Sequence, residues 1–135
     1  MRQRTVKNLE ERLEQNSSFV IENPREAKGR WAEIFGNRNP VYLEIGCGKG
    51  QFILTRAERN PRANFIAVEG QANVILRAME KAEAAELSNL RLFIDFVNDL
   101  NDYFEQEKFI ETLYRCKCTK NRANNMLVVR RIYLS

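Results

Sequence analysis

Seven residues, Glu44-Ile45-Gly46-Cys47-Gly48-Lys49-Gly50, concentrate the chemistry available to this chain. Glycines at 46, 48 and 50 let the backbone turn sharply and let a ligand approach main-chain atoms with no Cβ between. A dinucleotide fingerprint, G-x-G-x-x-G, would need a glycine at 51. Gln51 stands there instead, and the third glycine comes one residue early. The plain alternative is a glycine-rich turn with no ligand. About twenty residues further on, Glu69 precedes Gly70. An acidic side chain at this spacing can accept hydrogen bonds from both hydroxyls of a ribose. Taken alone Glu69 would be a solvated loop residue, and the glycine run upstream is what favours a nucleoside. Asp95 is the candidate polar group beside the base, with a turn aspartate as the bland alternative. Cys116 and Cys118 form a C-x-C pair, but zinc usually takes four ligands, and the chain has no histidine and only one other cysteine. No metal site and no disulfide framework are therefore expected.

These residues must be held by regular elements, and the hydrophobic pattern supplies them. Val41 to Ile45 is a short apolar strand running into the glycines. Gln51 to Asn60 follows with Phe52, Ile53 and Ala57 on one side of a helix that Pro61 stops. Asn64 to Glu69 is apolar almost throughout, as suits a strand covered on both faces. From Gln71 to Glu86, Val74, Ala78 and Ala82 line one helical face beside Ile75 and Met79, opposite Arg77, Glu80, Lys81 and Glu83. Ser88-Asn89 turns the chain into a third strand, Leu90 to Ile94. Strand, helix, strand, helix, strand implies a parallel sheet. Ligands bind such sheets at the carboxyl ends of the strands, where Glu44, Glu69 and Asp95 all fall.

Before the first strand, Val6, Leu9 and Leu13 predict a short amphipathic helix over residues 4–15. The stretch SSFVIENP is expected to be extended. Asn23 and Pro24 then suit the cap and first position of a helix that buries Trp31, Ile34 and Phe35 and ends at Gly36.

Composition bounds the rest. A chain of 135 residues, 44% hydrophobic and 30% charged, has the length and balance of one soluble domain. It has neither a membrane-length apolar run nor a signal-peptide core, so a cytoplasmic location is expected. Charge is uneven: from Phe109 onward six basic residues face one acidic residue, net +5, against sixteen basic and seventeen acidic before it, net −1. Such a tail can meet nucleic acid phosphates, or simply be solvated. Oligomeric state is not encoded in any of these features.

A G-x-G-x-G turn preceded by an acidic residue resembles the cofactor loop of class I methyltransferases. Their donor, S-adenosylmethionine, has no pyrophosphate, and Glu44 would meet its positively charged amino-acid end. More specifically, Lys28-Gly29-x-Trp31, then Glu44-Ile45-Gly46-x-Gly48-Lys49-Gly50-x-Phe52, then NFIAVEGQANVILRAMEKAEAAELSNLRL and NDLNDYFEQ resemble the bacterial tRNA (guanine-N7-)-methyltransferases over roughly residues 18 to 106.

The resemblance implies an α/β, Rossmann-like class I methyltransferase fold, incomplete at the C-terminus. Residues 1–38 would be a short helical extension and 39–135 a partial methyltransferase domain with a divergent tail, 107–135. It implies S-adenosylmethionine as donor, tRNA as substrate, and cofactor contacts from Glu44, Gly46, Gly48 and Glu69. Asp95 is the candidate third acid, although an ungapped alignment sets Phe96 at the family's aspartate.

The family's Ser-Asp-Pro-Trp-Pro-Lys signature is absent. Either Arg115 to Arg122 is its counterpart, placing Lys120 at a substrate-binding lysine, or Leu127 to Leu134 is the fourth strand. The expectation is a truncated or frameshifted product, poor in catalysis, whose sheet keeps an exposed edge. The alternatives are an inactive cofactor- or RNA-binding remnant, or a small methyltransferase with another substrate.

Overall fold

The structure is a computed structural model describing residues 6–104 and the backbone of two further strands, 109–115 and 126–132. Its centre is the alternating segment: β1 (Val41–Ile45), α3 (Gln51–Arg59), β2 (Asn64–Glu69), α4 (Ala72–Ala85) and β3 (Leu90–Ile94). Strands β1, β2 and β3 are parallel neighbours with β2 in the middle, Ile45 opposite Val68 and Glu69 opposite Ile94. The chain thus forms the expected parallel three-stranded unit of a Rossmann-like fold.

Periodicity decides which face each element buries. The α3 and α4 helices cover one face of the sheet, with Ile53, Leu54, Ala57, Ile75, Ala78, Met79 and Ala82 packed on Phe65, Ala67, Leu90 and Leu92. Phe52 departs from the expected pattern. It is exposed, and Leu54 takes the buried place. Phe52 and Leu54 flank Ile53 at about 100° on either side, and Leu54 is the one that joins the cluster shared with α4. Asn89 closes this layer from below: its amide donates to the carbonyls of Ala57, Asn60 and Ala63, tying the end of α3 to the start of β3.

The opposite face is covered by the segment before β1. Trp31 is fully buried among Val41, Leu43, Ile66, Val68, Phe93, Tyr103 and Phe104. It lies 5.5 Å, centroid to centroid, from Phe104, and its indole N–H donates to the Tyr103 carbonyl at 2.9 Å. Lys28-Gly29-x-Trp31 is in this way a packing anchor.

The helix expected from Pro24 to Phe35 is two pieces, a 3-10 turn Pro24–Ala27 and α2 (Trp31–Phe35). Gly29 between them takes φ +76°, outside helical geometry. Asn23 precedes the turn but makes no side-chain cap. Gly36 ends α2 at φ +75°, as expected.

The first helix, α1 (Leu9–Gln15), begins later than expected and rests on α4, where Arg12 pairs with Glu80. The extended stretch after it is functional in the sheet. Leu92 donates to the Phe19 carbonyl and accepts from the Ile21 N–H, so Phe19 to Ile21 pair with the outer edge of β3.

On the other side the sheet is not parallel. The strands β4 (Phe109–Arg115) and β5 (Met126–Ile132) form an antiparallel hairpin, and β5 runs antiparallel to β1, giving the order β3-β2-β1-β5-β4. The expected strand near 127–134 therefore exists with reversed direction and pairs with β1, leaving β4 as the outermost strand on that side. A short connection favours a hairpin, because a parallel partner needs a crossover of a dozen or more residues. Cys116, Cys118 and Lys120 lie outside the described residues.

Candidate functional site

The turn after β1 is built so that two glycines face open space and one faces protein. Gly46, Gly48 and Gly50 all have positive φ, at +74°, +57° and +76°. A Cβ added at Gly46 or Gly48 would meet nothing within 4 Å, whereas one at Gly50 would stand 2.6 Å from the Cβ of Ala78. Gly50 therefore serves the close packing of the start of α3 on α4. Gly46 and Gly48 leave main chain accessible from outside. The N–H groups of Gly46 and Cys47 donate to the Val68 carbonyl at 2.7 and 3.0 Å, pinning the turn to the end of β2.

Both candidate carboxylates adjoin this turn. Glu44 is 3% exposed and its Oε2 has no hydrogen-bond partner among the described residues. Burial pushes its pKa up to about 8. Glu69, at the end of β2, accepts the Gly48 N–H at 3.2 Å through Oε2. Cys47 lies within the electrostatic reach of both: its thiol is pushed up by burial first, then by Glu44 and Glu69. Cys47 is thus a protonated packing residue and not a nucleophile.

Asp95 is close in sequence to this group but directed elsewhere. Its Oδ2 accepts the Tyr103 hydroxyl at 2.6 Å and its Oδ1 accepts the Phe96 N–H at 2.8 Å. Its own N–H donates to the Glu69 carbonyl at 3.2 Å, so its backbone, if not its carboxylate, belongs to the site. Burial, and then Asp95, raises the Tyr103 hydroxyl, keeping it a donor.

Two neighbours join this group: Gly70, and Phe96, which the ungapped alignment sets at the family's aspartate. Gly70 is the space into which Phe96 fits, since a Cβ there would overlap the Phe96 ring. Phe96 itself is 70% exposed, two residues beyond the end of β3 at Ile94. A signal was present in the glycine following Glu69, but its partner is visible only once β2 and β3 are aligned.

Among the described residues no cluster of histidine, cysteine, aspartate and glutamate could hold a metal ion, and no helix is long and apolar enough to cross a membrane.

Known proteins give this arrangement its context. Residues 38–114 match a family model described as "putative methyltransferase". The chain is 46% identical over 105 residues to a tRNA (guanine-N(7)-)-methyltransferase of Streptococcus agalactiae, covering 78% of this chain and 50% of that protein. It is 43% identical over 114 residues to the protein of the same name from Streptococcus sanguinis, covering 84% and 53%. A Streptococcus pneumoniae protein of that name is 42% identical over 114 residues, covering 84% and 54%. The chain spans about half the length of these curated relatives.

Proposed function

The chain belongs to the putative methyltransferase family, and from that premise we propose that it transfers a methyl group from S-adenosylmethionine to N7 of a tRNA guanine, the variable-loop guanine 46. The observation that carries this reading is the buried, unpartnered oxygen of Glu44 beneath a turn whose Gly46 and Gly48 leave open space. A buried carboxylate without a partner is costly, and a ligand cation offsets that cost. The residues present fit the cofactor on this ground. Glu44 would hold its ammonium group and Glu69 its ribose hydroxyls. Gly46 and Gly48 would admit it to the main chain, and Asp95 would complete the rim. S-adenosylmethionine supplies an electrophilic methyl group on a sulfonium.

Guanine N7 is already nucleophilic, so the protein's task is to orient the base and exclude water. Lys120 is the proposed substrate contact, with tRNA as the cytoplasmic partner. A second reading, binding without turnover, is favoured by the antiparallel hairpin beside β1, where a doubly wound sheet would set a parallel strand.

Titration with S-adenosylhomocysteine and methyl transfer to unmodified tRNA separate these outcomes. The chain should bind the nucleoside and place label at guanine N7. Glu69→Ala should weaken binding by about 1–3 kcal/mol, the cost of unpaired polar groups. No binding by the unsubstituted chain would remove the cofactor reading, and binding without label at N7 would select the second one.

A further inference from the structure

We propose that Phe96 is the platform on which the purine of the nucleoside cofactor stacks, so that the chain recognises that base by its face and not by its edge. This rests on the cofactor reading given above. Four observations converge on it. Phe96 lies two residues beyond β3, and one side of its ring rests on Gly70, which directly follows Glu69. A Cβ at Gly70 would overlap the ring where it stands, so glycine is what lets the ring lie there. The ring is nevertheless 70% exposed, and Ile94, 37% exposed, stands opposite Glu69 on the neighbouring strand. An apolar surface grouped around one acidic side chain suits a ligand that is flat and apolar on its faces and polar at its sugar.

The fourth observation concerns the edge of the base. A purine edge is read by a hydrogen-bonding side chain, and Asp95 is the acid in the right segment. Both of its oxygens are engaged, one by the Tyr103 hydroxyl and one by the Phe96 N–H. The second bond also fixes the backbone that presents the ring. Stacking on an aromatic side chain tolerates any base, since every base has a π face. A face-reading site is therefore indifferent to the exocyclic group of the purine, whereas an edge-reading site is left with unpaired groups when that group changes.

The test uses the full chain and two ligands, S-adenosylhomocysteine and its 6-oxo analogue S-inosylhomocysteine, titrated calorimetrically. The unsubstituted chain should bind both within about threefold of each other. Phe96→Ala should weaken both by roughly tenfold, within the range of lost base stacking, and Phe96→Trp should retain both. Melting curves should be unchanged, because the ring is mostly exposed. A preference of more than about tenfold for the adenine ligand, or unchanged binding by Phe96→Ala, would overturn the platform while leaving the cofactor reading intact. Failure of the unsubstituted chain to bind either ligand overturns both.

Discussion

Glu44 is where burial and chemistry conflict most directly. The unfolded chain ionises this carboxyl near the ordinary value of about 4.3. Burial raises the folded value to about 8. Between those values the folded state holds a proton that the unfolded state has released. Stability is accordingly full at low pH and falls as pH rises through that window, levelling above about 8. No nearby cation offsets this among the causes of the shift. Burial is the sole cause of the shift, and the neighbouring Cys47 is neutral. Glu44→Gln should flatten the dependence and stabilise the chain by roughly 2–4 kcal/mol at pH 9, measured by urea denaturation across pH. The same variant should lose affinity for S-adenosylhomocysteine, because amide cannot balance ammonium. A stability profile as steep in Glu44→Gln as in the unsubstituted chain would show that another group titrates. Glu44 and Glu69 stood out in the sequence as candidates because each lies within two residues of a glycine at the end of an apolar run. Phe96 did not, because its role is set by Gly70 across the sheet, and a hydrophobic residue after a strand gives no sign of exposure.

At the scale of elements, the three glycines of the turn divide into two kinds. Gly50 stands at φ +76° with Ala78 of α4 in the path of any side chain. Gly50→Ala must therefore strain the backbone and push α3 off α4, and should cost about 2–4 kcal/mol, adding overpacking to the left-handed penalty. Gly48→Ala meets nothing within 4 Å and should cost only the backbone penalty, about 1–2 kcal/mol. Chemical denaturation distinguishes the two, and equal losses would show that Ala78 gives way freely. The sequence announces both glycines in the same terms, so periodicity reached the turn but not its division of labour. Elsewhere legibility followed the strength of the local signal. The segment from Val41 to Ile94 was read correctly because strand and helix periods alternate there without interruption. The split at Gly29 was missed because one glycine inside an amphipathic pattern changes the path without changing the pattern. The direction of β5 was missed because an apolar run is equally good in either orientation, and only its neighbour decides.

At the scale of the molecule, topology and charge act together. The β5 strand runs antiparallel to β1, so Met126 stands toward the carboxyl end of β1, the end that carries the glycine turn. Arg115, the last residue of β4, is opposite Met126 and shares that end. Residues 116–125, which join the two strands in sequence, lie outside the described residues, and with Arg115 they carry four basic residues, the others being Lys117, Lys120 and Arg122. Each phosphate neutralised by such a cation contributes about 0.7–0.9 to the slope of log affinity against log salt. Replacing these four residues by glutamine should therefore lower the salt slope of tRNA binding by up to about 3. Affinity for S-adenosylhomocysteine should not change. Substitution is the better test than deletion, since removing 115–135 would also uncover the β1 edge that β5 pairs with. An unchanged slope in the four-glutamine variant would transfer the RNA surface to Arg2, Arg4 and Lys7 at the other terminus. A lower slope with unchanged cofactor binding would assign the phosphate contacts to these four basic residues and show that the nucleoside site works independently of them.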